Sequence, residues 1–227
     1  MLILNSDDLS ISRESRDSRE WISDVKFSPD GKTFGMGSQD NKIYLYDVER
    51  SFALKAKCEM HNSFITHFDF SRDSDYIQSN CGGFELLFSK VTDGGNINSP
   101  STLKDVEWAT FTCTLGWPVQ GIWSDMNDGV RYNAVDRNNS ETLVATADNF
   151  GHIKVYRYPC LTKDAAHAKG TGHSANVQNL KFNKSDEFLV SIGGKDRAVL
   201  QWRVVKSKTA PASAGQGSAA ESKEQKK

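Results

Sequence analysis

The chain is 227 residues long, 37% hydrophobic, 25% charged and 10% aromatic, with a formal net charge of -1. A chain of this length buries about 70% of its unfolded surface, so it needs no disulfide or metal staple, and near-neutral charge argues against a nucleic-acid binder, which presents a strongly basic face. No run approaches the roughly 18 apolar residues of a membrane span, and Asn5-Ser6-Asp7-Asp8 follows Met1-Leu2-Ile3-Leu4 too early for a signal peptide, so the cytoplasm is the expected setting.

In chain order, an N-terminal segment, residues 1–18, carries an entering strand at Leu9-Ser10-Ile11. Three later segments then align: Ile22-Ser23-Asp24-Val25-Lys26-Phe27, Ile65-Thr66-His67-Phe68-Asp69-Phe70 and Val177-Gln178-Asn179-Leu180-Lys181-Phe182. Each alternates apolar and polar residues and ends in a polar turn, the pattern of a strand with one buried face. Ser28-Pro29-Asp30-Gly31 carries the Pro and Gly that preset a tight turn. A second strand, a Gly- or Asp-containing turn and a third strand follow each copy, with a fourth copy around Asp136 to Tyr156. The distance is 19 residues from Phe27 to Tyr46 and from Phe70 to Ser89, and 20 from Asp136 to Tyr156 and from Phe182 to Trp202. Successive third strands end at 46, 89, 156 and 202, steps of 43, 67 and 46. Two of the steps match the roughly 40 to 45 residues of a WD40 unit, a four-stranded propeller blade. The long step predicts an insertion of about 24 residues within 92–130, containing a fourth strand at Glu107 to Thr114 and a Trp-rich connector.

The predicted fold is therefore all-β, with WD40-type blades at about 19–60, 61–117, 118–170 and 171–205 and a tail, 206–227, that lacks large apolar residues and is expected to be disordered. Four blades fall short of a closed ring. The arc is expected to be part of a larger propeller, completed by further sequence or by another chain, because an open arc exposes blade faces and strand edges.

His61 and His173 each lie nine residues before the first-strand Phe, at Phe70 and Phe182. The last blade alone is expected to hold a whole buried network of His173, Ser191, Asp196 and Trp202, with Ser191 one position out of the usual register. The second has Gly83 and Ser89 where the Asp and Trp should stand. Both histidines are read as structural.

The stretch Thr114 to Arg203 contains TLGWPVQGIW, ATADNFGHIKVYRYPCL, GHSANVQNLKF and SIGGKDRAVLQWRV in that order. Together with RESRDSREWISDVKFSPDGK, GSQDNKIYLYDV and HNSFITHFDFSRDSDYIQSNCGG, it resembles the C-terminal propeller of the echinoderm microtubule-associated protein-like family over residues 9 to 205. That resemblance implies tandem propellers in proteins that bind tubulin and microtubules. It also implies a cytoskeletal location, cytoplasmic or axonemal. The chain departs from the family pattern at Ser124-Asp125-Met126-Asn127-Asp128.

No enzyme motif stands out: there is no GxSxG, P-loop, HExxH or GxGxxG, and Gly35-Met36-Gly37 reads as a strand feature. Asp7-Asp8 and Asp73 with Asp75 read as solvated acids. Cys58 and His61 have C-x-x-H spacing without a second pair, and Cys58, Cys81, Cys113 and Cys160 are scattered as reduced, packed thiols would be. Neither cofactor nor metal is expected, and catalysis is not. Candidate partner-binding residues are Lys195, Arg197, Lys206, Lys208 and Trp123. Residues 195–227 hold eight Lys or Arg against three Asp or Glu, net +5, leaving -6 on residues 1–194. With the partner implied by the resemblance, the expectation is a non-enzymatic scaffold contacting acidic tubulin through blade faces and a basic end. The alternative is a protein interaction module without tubulin contact of its own.

Overall fold

The computed structural model describes residues 1–123 and 129–205. It is all-β: a hairpin and four small antiparallel sheets, none closed on itself. The hairpin pairs β1 (Leu2–Leu4) with β2 (Ile11–Glu14). This corrects the entering strand expected at Leu9-Ser10-Ile11. Leu9 has φ 57° and its N–H bonds to Asn5, so Leu9 and Ser10 belong to the turn and the strand begins at Ile11.

Blade 1 comprises β3 (Ile22–Phe27), β4 (Thr33–Ser38), β5 (Ile43–Asp47) and β6 (Ala53–Cys58). Blade 2 comprises β7 (Ile65–Phe70), β8 (Tyr76–Cys81) and β9 (Leu86–Lys90). Blade 3 comprises β10 (Tyr132–Arg137), β11 (Leu143–Asp148), β12 (His152–Arg157) and β13 (His167–Thr171). Blade 4 comprises β14 (Val177–Phe182), β15 (Phe188–Gly193) and β16 (Val199–Arg203).

The sequence repeat is written into the backbone as well. In all four blades the first strand slips register between its first and third residues, skipping Ser23, Thr66, Asn133 and Gln178. Such a bulge bends a strand and raises its twist. The turn after that strand repeats too. The Ser28, Ser71, Asn138 and Asn183 side chains each accept the N–H five residues on, at 2.9, 2.9, 2.8 and 3.0 Å. Each turn crosses the left-handed region three residues after that side chain, at Gly31, Ser74, Glu141 and Asp186. Only the first copy uses the residue that adopts this conformation without cost.

Apolar side chains gather between successive sheets. Phe34, Met36, Tyr44 and Tyr46 of blade 1 pack against Met1 of the hairpin. Ile43 and Leu45 meet Ile65, Phe68, Phe70 and Ile77 across the blade 1–2 gap. Ala134, Ala145 and Ile153 meet Val177, Leu180 and Phe182 across the blade 3–4 gap. Gly35 and Gly37 serve this packing rather than any ligand: a Cβ on Gly35 would lie 2.8 Å from Phe68, and one on Gly37 2.9 Å from Ile65.

Between Lys90 and Tyr132 the described residues form no strand, which corrects the fourth strand expected at Glu107 to Thr114. They form two short 3-10 helices, Pro100–Leu103 and Trp117–Ile122, and isolated bridges from Ser89 to Asn96 and from Ser71 to Trp108. The alternation has another cause. Trp108, Phe111 and Cys113 are buried, the first two in the blade 2–3 core, while Thr110 and Thr112 turn to the Asp69 carboxylate. The first strands of all four blades line one cavity of about 440 Å³, bordered by Lys26, His67, Val135 and Lys181.

Candidate functional site

The blade 4 node assembles from three elements. His173 precedes β14, Ser191 lies on β15, and Asp196 sits in the turn before β16, which carries Trp202. His173 Nδ1 lies 2.9 Å from Asp196 Oδ2 and its Nε2 lies 2.8 Å from Ser191 Oγ. Trp202 Nε1–H donates to the same Ser191 oxygen at 2.8 Å, so all four residues come together and the register of Ser191 is no obstacle. The indole can only donate. The ionised Asp196 carboxylate can only accept, which assigns the imidazole proton to Nδ1 and leaves Nε2 to accept the Ser191 hydroxyl proton. Asp196 also accepts N–H groups from Ala198 and Ser174, and these bonds, led by that of Ala198, hold its carboxyl below the usual range.

Blade 2 has a node of its own, which the sequence hides. His61 Nε2 lies 2.7 Å from Ser79 Oγ, and Nδ1 lies 3.3 Å from Glu85 Oε2. Glu85 thus occupies the place sought at Gly83, one methylene longer and nearer the third strand. Both its oxygens are engaged by Asn62, whose N–H and Nδ2 donate at 3.1 and 2.7 Å, and Cys81 Sγ lies 3.1 Å from Oε2. The Asn62 bonds are the main reason its carboxyl drops to about 2, whereas burial pushes His61 below its ordinary value. Cys58 takes no part in this node and packs among Ile43, Leu45 and Ile65. All four cysteines are buried free thiols.

The basic candidates separate. Lys195 and Arg197 are exposed on the turn before β16, where Arg197 takes φ 53°. Lys195 borders a shallow recess of about 600 Å³ with Arg131, Asn133, Asn149, Ala175 and Asn176. Arg197 is not among the lining residues. Arg203 ends β16, about 13 Å of extended strand away from that turn. Lys206 and Lys208 lie outside the described residues. Trp123 is half-buried, its Nε1–H donating to Thr114 O at 2.8 Å and its ring edge-on to Tyr132 at 4.8 Å, so it stands among inter-blade packing rather than in the recess.

Arg131, Asn133, Asn149 and Asn176 were invisible as a site, because three different blade segments bring them together. The Asn149 side chain accepts Arg131 N–H at 2.8 Å, and Asn133 Nδ2 donates to Val177 O at 2.8 Å. Two cations framed by amides can hold a carboxylate through charge-assisted hydrogen bonds.

Repeated bulged blades with histidine nodes define a WD40-type propeller protein. The model of the echinoderm microtubule-associated protein second β-propeller matches residues 1–204, and the chain belongs to that family. It is 38% identical over 208 residues to echinoderm microtubule-associated protein-like 3 of Mus musculus, covering 90% of this chain and 23% of that protein. It is 41% identical over 207 residues to the human like-2 protein (90% and 32%) and 42% identical over 193 residues to the human like-1 protein (83% and 24%). The chain thus spans about a quarter to a third of the length of these relatives.

Proposed function

We propose that this chain is a non-enzymatic, cytoplasmic, microtubule-associated scaffold that contacts the acidic surface of tubulin through the Arg131–Lys195 recess, with Arg197 beside it and Lys206 and Lys208 adding charge. The observation that carries this is the convergence of Arg131 and Lys195 on one recess. The names of the relatives supply the partner class. Such contacts are weakened by salt, since the Debye length is only about 8 Å at physiological ionic strength. The test is co-sedimentation of the purified chain with stabilised microtubules at low and moderate salt. Protein remaining in the supernatant at low salt sinks direct binding.

A second reading, a protein interaction module without tubulin contact, is supported by a different observation. Trp21, Ile22, Val25 and Phe27 are exposed at the blade 1 end and Val190, Ile192 and Val199 at the blade 4 end. In this reading each face takes a further propeller sheet, from the same protein or from another chain. The mass of the isolated chain in solution tests it, and a dilution-resistant monomer without exposed-surface dye binding counts against it.

A further inference from the structure

We propose that the blade 2 node is a binding site for a borderline-soft divalent cation of the zinc class, held by His61 Nδ1, Cys81 Sγ and one carboxylate oxygen of Glu85, with water in the fourth position. The three donor atoms lie within 4.8 Å of one another, on residues that are buried or half-buried. Tetrahedral zinc, with bonds of about 2.0–2.3 Å to N, O and S, sets ligand-to-ligand edges of about 3.3–3.6 Å. Nδ1 and Oε2 already stand 3.3 Å apart, and Sγ and Oε2 3.1 Å, so the carboxylate and thiol need separate by only a few tenths of an ångström.

Blade 4 serves as an internal control. Ser79 and Ser191 occupy the same place on the second strand, and two residues on stand Cys81 in blade 2 and Gly193 in blade 4. A Cβ on Gly193 would lie 1.7 Å from Asp196 Oδ1 and 2.7 Å from His173 Nδ1, so the blade 4 node is closed to a side chain there. Blade 2 pairs the thiol with a carboxylate set further along the turn, and that exchange brings sulfur to the imidazole.

The proton arrangement differs in the same direction. In blade 4 Trp202 Nε1–H already occupies one lone pair of Ser191, beside the hydroxyl's bond with His173 Nε2. Across from Ile77, blade 2 has Ser89 in place of that tryptophan. Ser79 can therefore turn its hydroxyl to Leu87 O, 3.4 Å away, and accept from His61 Nε2–H once a cation takes the Nδ1 lone pair beside Cys81 and Glu85. Ser79 and Asn62 then orient the imidazole and the carboxylate as outer-shell partners do in metal sites. Binding moves the imidazole proton from Nδ1 to Nε2 and releases the thiol proton to solvent. The resulting thiolate and carboxylate neutralise the dication. Glu85, with 28% of its side chain exposed, gives the ion a way in.

The test uses the full chain, stripped with chelator and titrated with Co²⁺, then challenged with Zn²⁺. One equivalent of Co²⁺ should produce a thiolate charge-transfer absorption that one equivalent of Zn²⁺ abolishes. Cys81→Ser should remove the band, and Cys58→Ser should leave it. Glu85→Gln removes a direct ligand and should weaken binding by at least the roughly 10- to 100-fold that loss of an outer-shell partner costs. Should Cys81→Ser fail to fold, mass spectrometry of the wild-type chain decides: Zn²⁺ should protect Cys81 selectively from alkylation. Absence of the band in the folded wild-type chain, its persistence in folded Cys81→Ser, or equal alkylation of Cys81 with and without Zn²⁺ overturns the proposal.

Discussion

The Asp136 carboxylate of blade 3 accepts the backbone N–H of Phe182 in blade 4 at 2.8 Å, tying one first strand to the next, while its other oxygen meets Lys181 Nζ at 2.6 Å. The same stitch joins Asp24 to Phe68 N at 3.2 Å. In blade 2 the corresponding Asp69 ties to the connector instead, accepting from Thr112 N at 2.9 Å and Cys113 N at 3.1 Å. The blades are thus held by carboxylates, buried at Asp69 and Asp136 and half-buried at Asp24, as well as by apolar packing.

Asp69 is fully buried and also accepts from Thr110, Thr112 Oγ1 and Gln78. Asp69→Ala leaves those donors without their acceptor and Lys26 with Asp24 as its remaining carboxylate, and removing one side of a buried charge network costs about 3–5 kcal/mol. Urea unfolding should show that loss, and a change under 1 kcal/mol would mean that the connector is held by packing alone.

Burial raises the Asp69 carboxyl, but the Lys26 charge and the hydrogen bonds from Thr110, Thr112 and Cys113 outweigh it and bring the group to about 2. An unfolded Asp titrates near 3.9, so the stabilisation from Asp69 is complete above that value and disappears as pH falls through about 2. Its size is on the order of 2 kcal/mol. Asp136 has the opposite sign, since burial raises its carboxyl despite Lys181, and it gains relative stability as pH falls. Acid unfolding of Asp69→Asn and Asp136→Asn against the wild type should separate the two. Identical pH profiles for all three proteins would contradict the assignment.

Ser191→Ala strips one buried oxygen from both Trp202 and His173, and each orphaned group costs about 1–3 kcal/mol. Ser79→Ala in blade 2 should cost less, because no indole donates there. Thermal unfolding of the two variants checks the order, and a larger loss from Ser79→Ala would show that the blade 4 node is not the stronger one.

Gly35→Ala should destabilise by about 1–3 kcal/mol, because the added methyl meets the Phe68 ring at 2.8 Å. Gly35→Ala with Phe68→Leu should recover part of the loss in the same unfolding assay. A neutral single variant would show that the blade 1–2 gap is looser than these contacts require.

Arg131→Glu and Lys195→Glu should each lower microtubule pelleting, and the double variant should lose most of the salt dependence that remains in the wild type. Arg203→Glu, at the other end of β16, serves as the charge-matched control and should pellet as the wild type does. Equal loss in all three variants would point to net charge rather than the recess.

The repeat was legible because blades are local: the spacing from Phe182 to Trp202 and the turn at Ser28-Pro29-Asp30-Gly31 depend on residues within one sheet. His173, Ser191, Asp196 and Trp202 could be collected for the same reason. Glu85 was missed because its place depends on turn geometry rather than on residue count. Residues 107–114 imitated a strand because their alternation answers to two neighbours, apolar cores on one side and the Asp69 carboxylate on the other. The recess was illegible because Arg131 and Asn149 of blade 3 meet Asn176 and Lys195 only across the gap to blade 4.

Because the three clusters between blades each belong to two sheets at once, the cooperative unit of the arc is the gap rather than the blade. A cut at Gly172 would leave Ala145, Ala147 and Ile153 without the cover of Val177, Leu180 and Phe182, so blade 3 would lose stability although no residue of its own had been removed. Fragment boundaries that respect the sequence repeat are therefore the ones that split the folding units, and melting should spread from gap to gap along the arc.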